Sequence, residues 1–181
     1  MVEQLETDIR PPAGPAGVRS LDPGSSEADG GQLSNQRLVA ELLASRTDGR
    51  VKLFVIRQAL AARARWRDLY EQGDYVALQT TGPRRDCLFA FARRHAGQTV
   101  ITCVPRMVAS LMPDVSAPPV GRGVWADTAI EVPPDSRTGR LPVFADAITG
   151  GKIVAEERDG RFTIPAAAAL SPLPIALLAA L

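Results

Sequence analysis

The chain has 181 residues, 45% of them hydrophobic and 23% charged, with 21 basic against 20 acidic side chains and a formal net charge of +1. That length supports one fair-sized core, and the near-neutral balance argues against a large nucleic-acid footprint or an acidic tail. Two cysteines exclude a disulfide scaffold and a four-cysteine metal site.

The opening MVEQLETDIRPPAGPAG places acidic residues and prolines where a secretory signal needs a basic region and then an apolar one. The expected compartment is therefore cytoplasmic. Residues 1–33 lack apolar periodicity and read as a disordered leader or linker. Residues 34–72 read as helical. Ser34 or Asn35 caps a first helix to about Ser45, with Leu38, Val39, Leu42 and Leu43 on one stripe. Thr47-Asp48-Gly49 breaks it, and a second helix runs from about Val51 to Tyr70. Leu53, Ile56 and Leu60 recur there at helical spacing, and Arg57, Arg63, Arg65 and Arg67 crowd the remaining surface. A solvated basic face explains those arginines better than a phosphate grip does, because a nucleic-acid binder needs a strongly basic domain. Trp66 and Tyr70, one turn apart, form either a sugar platform or a lid over the core at the helix end.

Residues 73–181 read as a run of short strands. Tyr75 to Thr80 alternates, Thr81-Gly82-Pro83-Arg84 turns, and Cys87–Arg93 and Thr99–Val104 flank a hairpin turn at Arg94-His95-Ala96-Gly97. Phe89, Phe91, Val100, Thr102 and Val104 suit a pleated, half-buried surface that a second sheet would cover. A hairpin centred near His95 sets Cys87 almost opposite Cys103, where either a cross-strand disulfide or two reduced, packed thiols would fit. Further strands are expected at Gly123–Ala126, Thr128–Val132, Lys152–Glu156 and Arg161–Ile164, the last two joined by Asp159-Gly160, and Leu141–Ile148 contains a short extended piece. The ending IPAAAALSPLPIALLAAL approaches membrane-spanning length, but Pro165, Pro172 and Pro174 interrupt it. It reads as a buried terminal strand at Ile175–Leu178 that closes the sheet. Helices followed by short strands, with no alternating βαβ pattern, give an α+β class ending in an antiparallel β-sandwich.

Catalytic constellations are absent from the sequence. His95 is the single histidine and belongs to a turn. Asp127 and Glu131 share a strand face about 13 Å apart, too far for a glycosidase carboxylate pair. Gly121-Arg122-Gly123 and Gly150-Gly151 open no helix after a strand and make no phosphate cradle. No catalytic residue, cofactor or metal site is assigned.

Six strings in register point further: DGRVKLFVIRQAL (Asp48–Leu60), GDYVAL (Gly73–Leu78), FAFARRHAG (Phe89–Gly97), VPRMV (Val104–Val108), VWADTAIEVP (Val124–Pro133) and PIALL (Pro174–Leu178). Their order and spacing resemble the C-terminal region of malto-oligosyltrehalose synthase, an α-amylase-family enzyme, from about Leu38 to the end. The resemblance implies a β-sandwich of the α-amylase-family C-terminal type. It also implies a helical segment packed on a (β/α)₈ barrel, in the same chain or a separate one. That family converts the reducing-end α-1,4 linkage of a maltooligosaccharide to α,α-1,1 by a retaining mechanism through a glycosyl-enzyme. Its nucleophile and acid lie on barrel strands upstream of the matched region, and Met1 to Ser34 holds nothing like them, so no catalytic residue carries over. The resemblance makes Arg50 and Lys52 candidates for facing a barrel. Trp66, Tyr70 and Trp125 are the candidate sugar contacts of the other reading, a free-standing carbohydrate-binding or protein-interaction module. Neither reading calls for a nucleic-acid or membrane partner.

Overall fold

The computed structural model describes residues 37–112, 116–132 and 141–181. The leader and the expected caps Ser34 and Asn35 lie outside them. Three helices come first: α1 (37–44), α2 (Arg50–Arg65) and α3 (Arg67–Gln72). Ten strands follow: β1 (Asp74–Ala77), β2 (Thr80–Thr81), β3 (Leu88–His95), β4 (Gln98–Pro105), β5 (Ala129–Val132), β6 (Val143–Asp146), β7 (Lys152–Val154), β8 (Glu156–Arg158), β9 (Arg161–Pro165) and β10 (Ala176–Ala180). Single helical turns interrupt them: α4 (Val108–Leu111), α5 (Arg122–Trp125) and α6 (Ala166–Ala169). The class is α+β with antiparallel sheets. No helix among the described residues is long and apolar enough to cross a membrane.

The strands form a six-stranded sheet, ordered β1-β3-β4-β10-β6-β7, and a four-stranded sheet, ordered β2-β5-β9-β8. One core lies between them. Leu88, Ala90 and Ala92 of β3, Ile101 and Cys103 of β4, and Ala176 and Leu178 of β10 meet Ile130 and Val132 of β5 and Ile164 of β9. Two segments that read as single strands are split between the sheets. The first passes from β1 to β2 at Leu78-Gln79. The second leaves β7, turns at buried Ala155 and enters β8. Such corners let one chain line both layers.

Gly82 sits at the first corner with φ +89°, and a Cβ there would lie 2.7 Å from the Asp127 carbonyl oxygen, so only glycine fits.

Four expectations change. The β3–β4 hairpin turns at Ala96-Gly97, with φ values of 45° and 80°, and pairs His95 with Gln98. That centre pairs Cys103 with Ala90 rather than with Cys87, and both thiols are free and buried. Burial pushes the Cys103 thiol up to about 12. Gly123–Ala126 is not a strand but the turn α5, which drops the Trp125 ring into the core. Finally, β10 does not close an edge. It lies at the centre of the large sheet, pairing Leu177 with Thr102 of β4 and Leu178 with Asp146 of β6.

The largest difference concerns which faces are covered. The second sheet packs on the small-residue face of β3, not on the aromatic one. Phe89 and Phe91 point outward, Phe89 being 40% exposed, and the helical layer covers only part of that outer face. Leu69 of α3 closes on Val100 and Ala179, and α1 and α2 pack over Ile148, Leu173 and Leu177.

Candidate functional site

The structure separates the five candidate residues. Trp125 is fully buried, and its indole N–H donates to the Pro119 carbonyl at 2.9 Å. It is a core residue and offers no face to a sugar. Trp66 and Tyr70 stand one helical turn apart and both pack on the cluster of Leu69, Val100 and Ala179. Tyr70 is half-buried, and that burial raises its hydroxyl above its ordinary value. Its carbonyl accepts from the Arg93 guanidinium at 2.7 Å. Trp66 is half-buried as well, with the Arg65 guanidinium 5.1 Å above its ring centre.

Arg50 is tied into the start of α2. Its Nε donates to Asp48 at 2.7 Å, its Nη2 donates to the Ser45 hydroxyl at 2.8 Å, and its backbone N–H donates to the other Asp48 oxygen at 2.9 Å. Those bonds hold the Asp48 carboxyl below its ordinary value. Lys52 is exposed on the next residue but one. The two basic residues thus flank the same helix start as Asp48, away from Trp66 and Tyr70.

Sequence reasoning missed Asp146. It is buried, 5% exposed, at the end of β6. Oδ1 accepts from the N–H groups of Ile148 and Leu177, both at 3.1 Å. Oδ2 accepts from the Thr149 hydroxyl at 2.6 Å and from its N–H at 3.3 Å. Burial raises its pKa, and these four bonds only partly offset that. The readable signal was the string DAITGG, in which an aspartate opens a turn and satisfies its N–H groups. The role is to pin the 146–151 turn to β10. Asp127 and Glu131 make separate surface pairs, with Arg122 at 3.7 Å and Arg161 at 2.7 Å. Among the described residues, no group of three His, Cys, Asp or Glu side chains is placed to hold a metal.

What remains is surface. The ridge Leu53, Ile56 and Leu60 of α2 is 68%, 44% and 59% exposed. The same helix packs inward through Val51, Val55, Ala59, Ala62 and Trp66. At 100° per residue the two sets lie on nearly opposite faces. The ridge expected to enter the core therefore faces solvent, flanked by exposed Arg57 and Arg63. A second bare patch lies on the outer sheet face, where Tyr75 stacks on Phe91 at 4.9 Å and Phe89 approaches Phe91 at 5.8 Å. Tyr75 is 54% exposed.

No protein-family model matches the chain, and no curated protein matches it. Among solved structures it is similar to a point mutant of maltooligosyltrehalose synthase from Arthrobacter ramosus, with a TM-score of 0.52 and 22% identity. The match covers 80% of this chain and 17% of that one. The two share a fold. The chain described here therefore corresponds in fold to a small part of a much longer enzyme.

Proposed function

We propose that this chain is the C-terminal accessory portion of a malto-oligosyltrehalose synthase, working against a catalytic barrel and not catalytic by itself. In this reading the 34–72 segment is the packing layer, and residues 73–181 are a β-sandwich of the α-amylase-family C-terminal type. The parent activity is the conversion of the terminal α-1,4 linkage of a maltooligosaccharide to α,α-1,1, in trehalose formation.

The observation that carries the reading is α2, which is apolar on both sides. Contiguous exposed apolar surface marks an interface. The fold likeness is compatible with such a partner, since most of the similar enzyme lies outside the matched part. Arg57 and Arg63 beside the ridge suit a groove rimmed by carboxylates, and Arg50 and Lys52 lie at the end of the same helix.

The expected result with purified chain and maltopentaose is full retention of reducing ends; their steady loss would overturn the non-catalytic part. The DNA upstream of the Met1 codon, translated in three frames, is expected to encode a barrel with its carboxylates. Lack of such a barrel both there and elsewhere in the genome leaves the accessory reading without a partner and rejects it.

A further inference from the structure

Beside the C-terminal half of α2, on the side away from the ridge, lies a groove of about 470 Å³ between the helix and the ends of β4, β6 and β10. The helix packs on the sheet along its length. Val51, Phe54, Val55, Ala59 and Ala62 pack near Ile148, Leu173 and Leu177, and Trp66 lies over Val100 and Ala179. Along the flank of these contacts, Ala61 and Ala62 face Ala145, Ala147 and Gly150. Side chains this short leave the groove open.

The lining is that of a ligand site. Pockets for small molecules run from roughly 300 to 1,000 Å³ and combine apolar walls with a few convergent polar groups. Here the walls are alanines and the Trp66 ring, and the polar groups are Gln58, Arg65, Gln98 and Thr99. Gln58 is partly committed, donating to the Ile148 carbonyl at 3.2 Å. Gln98 is exposed and Thr99 half-buried at the rim. The side-chain carboxylate at the wall, Asp146, has both oxygens occupied by the four bonds described above, and Arg65 disfavours a cation.

A ligand for this lining has an apolar face, an edge of hydroxyls and no net charge. That is the chemistry of a pyranose ring, whose C–H face lies on an aromatic ring while its hydroxyls bond to amides and guanidinium. We infer that the groove beside α2 binds a short neutral oligosaccharide, and specifically an α-1,4-glucan; the choice of glucan rests on the function proposed above. The site holds substrate chain at a distance from the chemistry. Exposed Arg65 covers the ring at 5.1 Å and yields that face to the incoming sugar, to whose hydroxyls it then donates.

The test is a tryptophan-fluorescence titration of the full chain with maltoheptaose. The chain has two tryptophans, and Trp125 is sealed in the core, so a saturable change reports Trp66. Ala61→Phe fills the groove from an exposed helix position and is expected to weaken binding at least tenfold. Gln98→Ala, at an exposed position beside the hairpin turn, is expected to weaken it severalfold without any risk to folding. Leu53→Glu, on the opposite helix face, is expected to leave the midpoint unchanged. No saturable change in the wild-type chain, or an unchanged midpoint in both groove variants, overturns the proposal. An equal response to cellopentaose overturns the assignment to an α-glucan. If maltoheptaose fails while a barrel is encoded upstream, the groove proposal falls and the accessory reading stands. Binding with no barrel upstream or elsewhere in the genome has the opposite meaning.

Discussion

The two-sheet body and the helix α2 laid over it are both apolar on two sides, but they differ in how completely those sides are covered. In the body the inner faces of β3, β4, β5, β9 and β10 are closed against one another, and Trp125 and Ile164 are wholly inaccessible. On α2 one face rests on the sheet while Leu53, Ile56 and Leu60 stand in solvent. The difference separates residues that hold this chain together from residues whose burial requires something else. Stability resides in the first set, and the proposed association in the second.

The largest expected effect lies in the closed body. Trp125→Ala empties a sealed site and removes the bond to Pro119, which should cost about 3–5 kcal/mol in urea unfolding. A loss under about 1 kcal/mol would mean that the core is not closed around that ring.

The next effect is at Asp146, where the body meets the turn under α2. Asp146→Ala orphans the buried N–H groups of Ile148, Thr149 and Leu177 and should cost about 3 kcal/mol; Asp146→Asn should cost less. Because burial raises the folded pKa above the ordinary 3.8, the unfolded carboxyl ionises first as pH rises. The folded state then holds more protons, and stability falls through the window between the two values. Asp146→Asn has no such slope. The stability difference, wild type minus Asp146→Asn, should therefore be more favourable at pH 3 than at pH 7. A difference independent of pH would show that the four hydrogen bonds fully offset the burial.

The smallest effect on stability is expected at the ridge. Leu53→Glu should change unfolding free energy by no more than about 0.5 kcal/mol, and yet abolish capture of a separately expressed barrel portion encoded upstream. If that substitution instead costs as much as a core change, the ridge is packed in solution and the contrast between the two regions fails.

Much of the architecture was legible. The β3–β4 hairpin, the Asp159-Gly160 turn and the succession of short strands follow from alternation and turn residues, because β-branched and aromatic runs bounded by Gly, Pro and Asp allow few other local structures. Two misreadings share a cause. In β3, Leu88, Ala90 and Ala92 alternate with Phe89 and Phe91, so each face of the strand is apolar. In α2, Leu53, Ile56 and Leu60 run opposite Val51, Val55, Ala59 and Ala62. Where both faces are apolar, periodicity marks two stripes and does not say which one the fold covers.

Trp125 failed as a candidate contact for a related reason. Val124 and Trp125 favour a strand locally, but the turn at Gly121, with φ +75°, redirects the chain into α5 and sends the indole to the Pro119 carbonyl. The groove was not legible at all. Its residues come from α2, β4, β6, β10 and the turn after β6, and what makes it is a row of alanines that looks featureless in sequence.

By itself, then, the sequence determined most of the helices and strands, the main turns and the α+β class, since these depend on neighbours a few residues apart. Tertiary structure alone decided which faces closed, which strands crossed between sheets, that Asp146 would be buried and satisfied, and that α2 would border a groove with its opposite side bare. Those outcomes depend on side-chain volumes meeting across distant segments, and no local pattern encodes that fit.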